Sequence, residues 1–179
     1  MTTHVMLDLE TLDTEPTAVV LTIGVVKFNP YTLHEPVEKK VWKPDIEAQL
    51  DSGRTTSDST LEFWAKQPEE IRERAFSPDG RQPLAEIFAE LNKYTAGVNA
   101  LWAQHDKFDF GILENLYTQN NHHYNWQFYK INDTATVFNM MPSDPRKAVQ
   151  QDLHDAGEDA YWQAVCTQKS FKHFGVKPR

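Results

Sequence analysis

Two acidic residues interrupt an apolar stretch close to the start of the chain, HVMLDLET at residues 4–11. A stretch that is apolar on both faces is typical of a buried central strand. Residues two apart on a strand project from the same face, so Asp8 and Glu10 are aimed at one spot. Unpaired charges are costly to bury. Either cations therefore lie beside these carboxylates, or the segment is a strand end that leads into a turn at residues 11–13.

The order of the predicted strands and helices indicates the fold class. Three strands come first, at HVMLDLET, VVLTIGVVKF and VEKKVWKP. Helices then alternate with two further strands, within ALWAQ and FYKINDTATVF. This order predicts an α/β domain with a central mixed sheet of five strands flanked by helices. An apolar stripe predicts one of the helices at residues 83–94. The polar segment 51–59 is predicted to be a mobile surface loop, with Ser59 and Glu62 capping the helix that follows.

Size, charge and cysteine content narrow the class of protein. The 179 residues fit one domain, and a lone cysteine, Cys166, allows no internal disulfide. The N-terminus lacks the pattern of a signal peptide, and no apolar run is long enough to span a membrane. We therefore expect a soluble, cytoplasmic protein. The net charge of −8 argues against a broad nucleic-acid-binding surface, which normally needs a basic footprint.

Three more residues could carry chemistry, although each has a structural explanation when taken singly. Asp109 opens a predicted helix, where a carboxylate usually serves as a cap. His154 and Asp159 are five apart, which is roughly 140° of rotation on an ideal helix. They converge only if His154 precedes the last helix, which is predicted to begin near Leu153 or His154 and to stop at Gly175.

In order and spacing, these pieces resemble the DEDDh 3′–5′ exonucleases. The resemblance is carried by DLET at 8–11, by Phe108 and Asp109, and by the His–x4–Asp pattern at 154–159. More narrowly, LEFWAKQPEE and HDAGEDAYWQA are similar to the ribonuclease T-like branch of bacteria and phages. The resemblance implies a ribonuclease H-like fold and a single exonuclease domain over residues 1–179.

The resemblance also implies a role for each acidic residue. It makes metal ligands of Asp8, Glu10, Asp109 and Asp159, and a general base of His154. Two Mg²⁺ or Mn²⁺ ions, which favour oxygen ligands, would hold the attacking and leaving oxygens of a phosphodiester. Asp8 is expected to bridge the two ions.

The substrate implied is the 3′ end of a single-stranded nucleic acid. The four site carboxylates contribute −4 to the net charge of −8, and two divalent ions would offset that part. We therefore expect a short footprint held by metals and stacking aromatics. The backbone around Thr11 and Leu12 is expected to meet the terminal nucleotide. Candidates for stacking, each with core packing as the alternative, are Phe63, Trp64, Trp102 and Phe108.

Substrate preference is affected by two departures from the family pattern. The family usually has small residues, glycine among them, where this chain has Gln104, His105, Asp106 and Lys107. It often has an arginine where this chain has Ala135. The ribonuclease T-like resemblance slightly favours RNA over DNA, and it also allows a homodimer.

Three other interpretations stay open. An exodeoxyribonuclease would use the same site. A non-catalytic module for binding nucleic acid or protein could share the fold, because fold does not imply function. A zinc hydrolase is suggested by His122 and His123, but the sequence contains neither an HExxH motif nor paired CxxC motifs.

Overall fold

A computed structural model of the chain describes residues 2–149 and 154–178. The strands are β1 (His4–Thr11), β2 (Val20–Phe28), β3 (Val37–Pro44), β4 (Arg81–Gln82), β5 (Ala100–Ala103) and β6 (Ile131–Asp133). The helices are α1 (Ile46–Asp51), α2 (Asp58–Ala65), α3 (Glu69–Phe76), α4 (Leu84–Thr95), α5 (Asp106–Gln119), α6 (Thr134–Asn139) and α7 (Ala156–Phe174). Short 3₁₀ turns precede β6 and α7, at Phe128–Lys130 and Pro145–Ala148. None of these helices combines the length and the apolar character needed to cross a membrane.

The strands form one mixed sheet in the order β4-β3-β2-β1-β5-β6. The first three strands pair antiparallel, β5 runs parallel to β1 and to β6, and β4 runs parallel to β3. The predicted α/β class and mixed sheet are confirmed, but the prediction of five strands is wrong. The strand that the prediction missed is β4, which has only two residues, too few for an alternating pattern to reveal it. The Arg81 guanidinium secures this edge by donating to the carbonyls of Leu21 and Pro44.

Alternate residues of β1 face two different layers of helices. Leu7 and the residues two positions to either side of it join the core that contains residues of α4 and α5. Met6 instead packs with residues of α7. The same alternation turns Asp8 and Glu10 towards the α7 side. Helix α4 forms where the apolar stripe predicted it.

Glycine at position 24 allows α7 to approach the sheet closely. Gly24 lies opposite Asp8 in the register of β1 and β2. A Cβ added there would lie 2.1 Å from the carbonyl of Ala156. On the helix, a Cβ added to Gly157 would lie 2.6 Å from Cγ2 of Val41. The two glycines therefore bring the first turn of α7 against β2 and β3.

The ends of α7 agree with the sequence prediction where they are described. The helix begins after Asp155, whose side chain accepts hydrogen bonds from backbone N–H groups of the first turn. His154 precedes the helix, whereas Leu153 lies outside the described residues. Gly175 ends the helix in the left-handed region, with φ of 65°.

Most residues of segment 51–59 are exposed, as its polar composition predicted, but Arg54 within it is buried. Arg54 is 4% exposed, and it donates to the carbonyl of Ala18 and to two side chains of α5. A long guanidinium side chain can be buried if neutral oxygens accept its N–H groups, which composition alone does not reveal. The N-terminal cap of α2 lies two residues earlier than predicted. Ser57, rather than Ser59, accepts a hydrogen bond from the backbone of the first turn.

Candidate active site

Three carboxylates converge where β1 meets the first turn of α7. Asp8 and Glu10 come from β1, and Asp159 comes from α7. One oxygen from each lies within 4.8 Å of the others. The structure thus brings together three of the four predicted ligands. They line a cavity of about 310 Å³, here called the acidic cavity, whose other polar or ionisable lining residues are Gln104, Arg146, His154, Gln163 and Cys166.

Asp109, the fourth predicted ligand, approaches β1 from the other face of the sheet. It lies in the first turn of α5, is 2% exposed, and accepts the N–H of Leu9 at 3.0 Å. Strand β5 pairs with β1 only as far as Met6. The Asp109 carboxylate therefore satisfies a backbone donor that the sheet leaves open beyond that point. Burial, followed by the charge of the neighbouring Asp8 carboxylate, raises the pKa of Asp109.

Burial and mutual repulsion raise the pKa values of carboxyl groups in this acidic cluster. Burial, followed by repulsion from Asp159, raises the pKa of Asp8 well above its ordinary value. Burial and then the charge of Asp8 raise the pKa of Glu10 to about 9 and also raise the pKa of Asp109. These groups would tend to hold protons unless a cation lies beside them. A bound divalent ion would supply positive charge that favours the ionised carboxylates.

The donor set fits a hard divalent cation. Among the described residues, the converging group contains carboxylates and neither cysteine nor histidine. Magnesium and manganese favour such oxygen ligands, whereas structural and catalytic zinc sites use histidine or cysteine in most cases. His122, one residue of the zinc hypothesis, instead lies beside Phe88 of α4, with ring centroids 5.1 Å apart.

Gln163 was missed by the sequence prediction. Its Nε2 donates to Oδ1 of Asp8 at 2.8 Å, which orients that carboxylate. Its Oε1 is buried and has no hydrogen-bond partner in the part of the chain that the structure describes. Gln163 follows Asp159 by four residues, so the two side chains lie on one face of α7. That spacing is a signal from which Gln163 could have been found.

His154 is held at the edge of the acidic cavity by aromatic rings and by a neighbouring ion pair. Its backbone is left-handed, with φ of 62°. Its ring lies edge-on to Phe63, with centroids 4.8 Å apart, and 6.0 Å from the ring of Trp64. The next residue, Asp155, pairs with Arg74 of α3 at 3.2 Å. Helices α2 and α3 therefore restrain the segment that carries the histidine.

A second cavity, of about 350 Å³, adjoins the first and is here called the aromatic cavity. Glu10 and His154 line both cavities. The aromatic cavity is also lined by Leu9, Thr11, Asp13, Thr14, Ser59, Thr60, Phe63, Trp64 and Phe108. Three of the four predicted substrate-binding residues, Thr11, Trp64 and Phe108, are among them.

The fourth, Leu12, does not line either cavity within the described residues. Its side chain is 5% exposed, its N–H donates to Val19, and its carbonyl accepts from Ser57. Leu12 therefore shapes the wall behind Thr11. Trp64 also has a structural role, because it is 2% exposed and its indole N–H donates to the Thr11 carbonyl.

The two other stacking candidates differ in their surroundings. Phe63 is 39% exposed in the aromatic cavity. Trp102 is buried, and its indole N–H donates to Nδ1 of His4 at 2.8 Å. The core-packing alternative therefore describes Trp102, whereas Phe63 is partly exposed on the wall of the aromatic cavity.

The positions that depart from the family pattern differ in their surroundings. His105 adopts a left-handed backbone with φ of 67°, the region that favours glycine. Its neighbour Gln104 lines the acidic cavity. Ala135 instead belongs to the first turn of α6, where its N–H donates to Asp133.

Comparison with known proteins agrees with this architecture. Residues 3–171 match the family described as the Rv2179c-like 3′–5′ exoribonuclease domain. No curated protein matches the sequence. A product-bound structure of exonuclease I is 14% identical, with a TM-score of 0.63 over 97% of this chain and 44% of that one. E. coli exonuclease I in complex with a dA16 oligonucleotide is 16% identical, with a TM-score of 0.65 over 97% of this chain and 41% of that one. The complex of the same enzyme with a dT13 oligonucleotide is 15% identical, with a TM-score of 0.66 over 96% of this chain and 41% of that one.

This chain spans less than half the length of the exonuclease I chains, and the likeness to them shows the fold. The predicted ribonuclease H-like architecture is thereby confirmed. The family match covers nearly the whole chain and includes every residue of the acidic cluster. The chain belongs to the Rv2179c-like 3′–5′ exoribonuclease domain family.

Proposed function

We propose that this protein hydrolyses the last phosphodiester bond at the 3′ end of a single-stranded nucleic acid and releases nucleotides one at a time. The observation that carries the proposal is that Glu10 and His154 line both the acidic and the aromatic cavity. A terminal nucleotide in the aromatic cavity would have its 5′ phosphate at this shared boundary. The bond to be broken would then lie beside the carboxylate cluster.

Each site residue has a distinct role in this proposal. Asp8, Glu10, Asp109 and Asp159 would hold two Mg²⁺ or Mn²⁺ ions. When bound, such ions stabilise the charge that develops on the attacking and leaving oxygens. Gln163 would keep the Asp8 carboxylate in its orientation. His154 would take the proton from the attacking water, a step for which a histidine is suited near neutral pH.

The lining of the aromatic cavity favours an unpaired terminal base. Phe63 is 39% exposed there, and Phe108 lies on the same wall. Base-on-ring stacking is worth about 1–3 kcal/mol and requires a base that has left its duplex. The net charge of −8 adds to this argument, since a long duplex-binding groove would need many phosphate contacts. We therefore propose a short footprint on a single-stranded end.

RNA is the first candidate substrate, because the matching family is described as an exoribonuclease domain. DNA is the second, because the exonuclease I structures that share the fold hold dA16 or dT13. The choice depends on contacts to the 2′-hydroxyl.

One time course tests the reaction and the choice of sugar. Labelled at the 5′ end, RNA and DNA of one sequence, single- and double-stranded, would be incubated with magnesium or manganese. We expect a ladder that shortens by one nucleotide from the 3′ end, fastest on single-stranded RNA. A circular single strand is the matched substrate without an end and should stay intact. Asp8→Asn, purified in parallel, controls for contaminating nucleases.

Two results would favour the alternatives. Binding of a single strand with no cleavage in either metal would support a non-catalytic module. A ladder from DNA alone would support the exodeoxyribonuclease. The homodimer that the resemblance allows is a separate proposal, to be tested by sedimentation of the purified protein.

A further inference from the structure

Arg146 brings a permanent positive charge to the wall of the acidic cavity. It lies in the 3₁₀ turn Pro145–Ala148 and lines the same cavity as Asp8, Glu10 and Asp159. Its side chain is 39% exposed. Among the described residues that line this cavity, it is the one lysine or arginine.

The guanidinium is fixed by a neighbour outside the acidic cluster. Its Nε donates to Oδ1 and Oδ2 of Asp144 at 2.9 and 3.1 Å, and its Nη2 donates to Oδ2 at 2.7 Å. The Cζ atom lies 5.9 Å from the ring centre of Phe138. Within the described part of the chain these contacts use Nε and Nη2, so Nη1 can donate to a further acceptor. A planar guanidinium fixed in this way loses little freedom when it binds an anion.

Arg146 lines the acidic cavity but has a carboxylate partner of its own, Asp144, outside the acidic cluster. An anion that enters the acidic cavity would therefore meet both the carboxylate cluster and the guanidinium of Arg146, which Asp144 holds in place.

We propose that Arg146 binds the phosphate of the terminal nucleotide, with Asp144 as the residue that positions it. The inference rests on the proposed function, because it takes the reacting phosphate to lie in the acidic cavity. Arginine recognises phosphate through paired N–H donors, which a lysine cannot reproduce. After hydrolysis the same contact would hold the 5′ phosphate of the released nucleoside monophosphate.

Calorimetry with two ligands tests the assignment in the presence of magnesium. Adenosine 5′-monophosphate and adenosine differ by the phosphate alone, so their affinity ratio measures phosphate recognition. The proteins compared are the wild type, Arg146→Ala, Arg146→Lys and Asp144→Asn. Arg72→Ala is the matched control, since it removes the same charge from an exposed position on α3 that lines a different surface pocket.

We expect the wild type to prefer the monophosphate, and Arg146→Ala to reduce that preference about tenfold or more. Arg146→Lys and Asp144→Asn should lose part of the preference, and Arg72→Ala should keep it. Affinity for adenosine should change little in all of them. Urea unfolding midpoints equal to the wild-type value would show that the variants are folded. If Arg146→Ala is not folded, the phosphate preference of Arg146→Lys tests the assignment instead.

Either of two results overturns the assignment: a wild type with no preference for the monophosphate, or an Arg146→Ala variant that keeps it. Failure of the proposed function would look different. If the wild type cleaves no strand but its phosphate preference depends on Arg146, the exonuclease proposal fails while the phosphate site stands. If the wild type produces a ladder and Arg146→Ala keeps the preference, only the role of Arg146 fails.

Discussion

Gly24 and Ala156 meet backbone to backbone, so closely that a Cβ on Gly24 would lie 2.1 Å from the carbonyl of Ala156. Gly24 sits on β2 opposite Asp8, and Ala156 is the first residue of α7, which carries Asp159. The contact therefore sets the distance between the strand and the helix that supply the carboxylate cluster. A residue with no functional group of its own thus controls the geometry of the site.

Replacement of this glycine should impair both folding and hydrolysis. Gly24→Ala forces the first turn of α7 away from the sheet, and a misplacement of about 1 Å at a reacting centre can cost about 10²-fold in rate. We expect kcat to fall by about that factor and metal affinity to weaken. Steady-state kinetics and calorimetric titration with Mn²⁺ would measure both.

Gly111→Ala is the matched control for this substitution. Gly111 lies inside α5, and a Cβ there would meet nothing within 4 Å. Alanine at such a position should stabilise the helix by about 0.5–1 kcal/mol and leave the rate unchanged. Full activity of Gly24→Ala would show that the close contact is not required.

Loss of a single carboxylate of the cluster should abolish activity without lowering the stability of the metal-free protein. Asp8→Asn keeps the volume of the side chain and an oxygen that can accept from Gln163, but it removes a buried charge that other carboxylates repel. We expect no measurable hydrolysis, together with a metal-free protein at least as stable as the wild type. Urea unfolding in EDTA measures the stability of the metal-free protein, and the cleavage assay measures hydrolysis. Asp51→Asn, at an exposed position at the end of α1, should change neither.

Asp159→Ala should behave in the same way, because Asp159 belongs to the same converging group. Wild-type turnover in a pure Asp8→Asn sample would contradict the assignment of Asp8 as a metal ligand.

His154 should affect the rate without affecting the metal. The converging ligand atoms are carboxylate oxygens, whereas His154 lies at the boundary of the two cavities against Phe63. Removal of a general base costs about 10²–10⁴-fold in rate. We expect His154→Ala to show such a loss with an unchanged Mn²⁺ affinity. His122→Ala, beside Phe88, is the histidine control and should retain activity. A loss of metal binding in His154→Ala would mean that the histidine is itself a ligand.

Local periodicity predicted the parts of this molecule that depend on neighbours in the sequence. The alternation along β1 placed Asp8 and Glu10 on one face, and the apolar stripe placed α4. Local periodicity did not predict the convergence of Asp159 with these two carboxylates, or the position of Asp109 beside β1. These placements depend on β5 pairing beside β1 and on α7 packing over β2, which are contacts between residues far apart in the chain. Only the ordered resemblance to a family carried that information in advance.

Side chains that bond to neutral partners were the hardest to foresee. Arg54 looked solvated within a polar run, yet carbonyl and amide oxygens allow its burial. Gln163 carries no charge and stands outside the family pattern, although it donates to Asp8. Gly24 did give a signal, since a glycine within a buried strand often marks a close approach of another backbone. In each case the explanation lies in a partner that comes near only in the folded chain.

A buried histidine should make stability depend on pH in mildly acidic solution. His4 is 6% exposed, and its Nδ1 accepts the indole N–H of Trp102 at 2.8 Å, which requires that nitrogen to be unprotonated. Burial lowers the pKa of His4 from 6.5 to about 4. Because the folded pKa lies below the unfolded one, the contribution to stability is complete above pH 6.5 and is lost as the pH falls towards 4.

The difference in the free energy of unfolding between the wild type and His4→Gln isolates this effect. Glutamine keeps an acceptor for the Trp102 indole but does not titrate. Urea unfolding in EDTA, at a series of pH values, would give the free energy of unfolding of both proteins. The wild type should lose stability relative to His4→Gln between about pH 6.5 and 4, and the difference should be constant above pH 7. The carboxylate cluster titrates equally in both proteins and cancels. His173→Gln, at an exposed position of α7, should show no such change. A pH-independent difference for His4→Gln would mean that His4 is not held neutral in the fold.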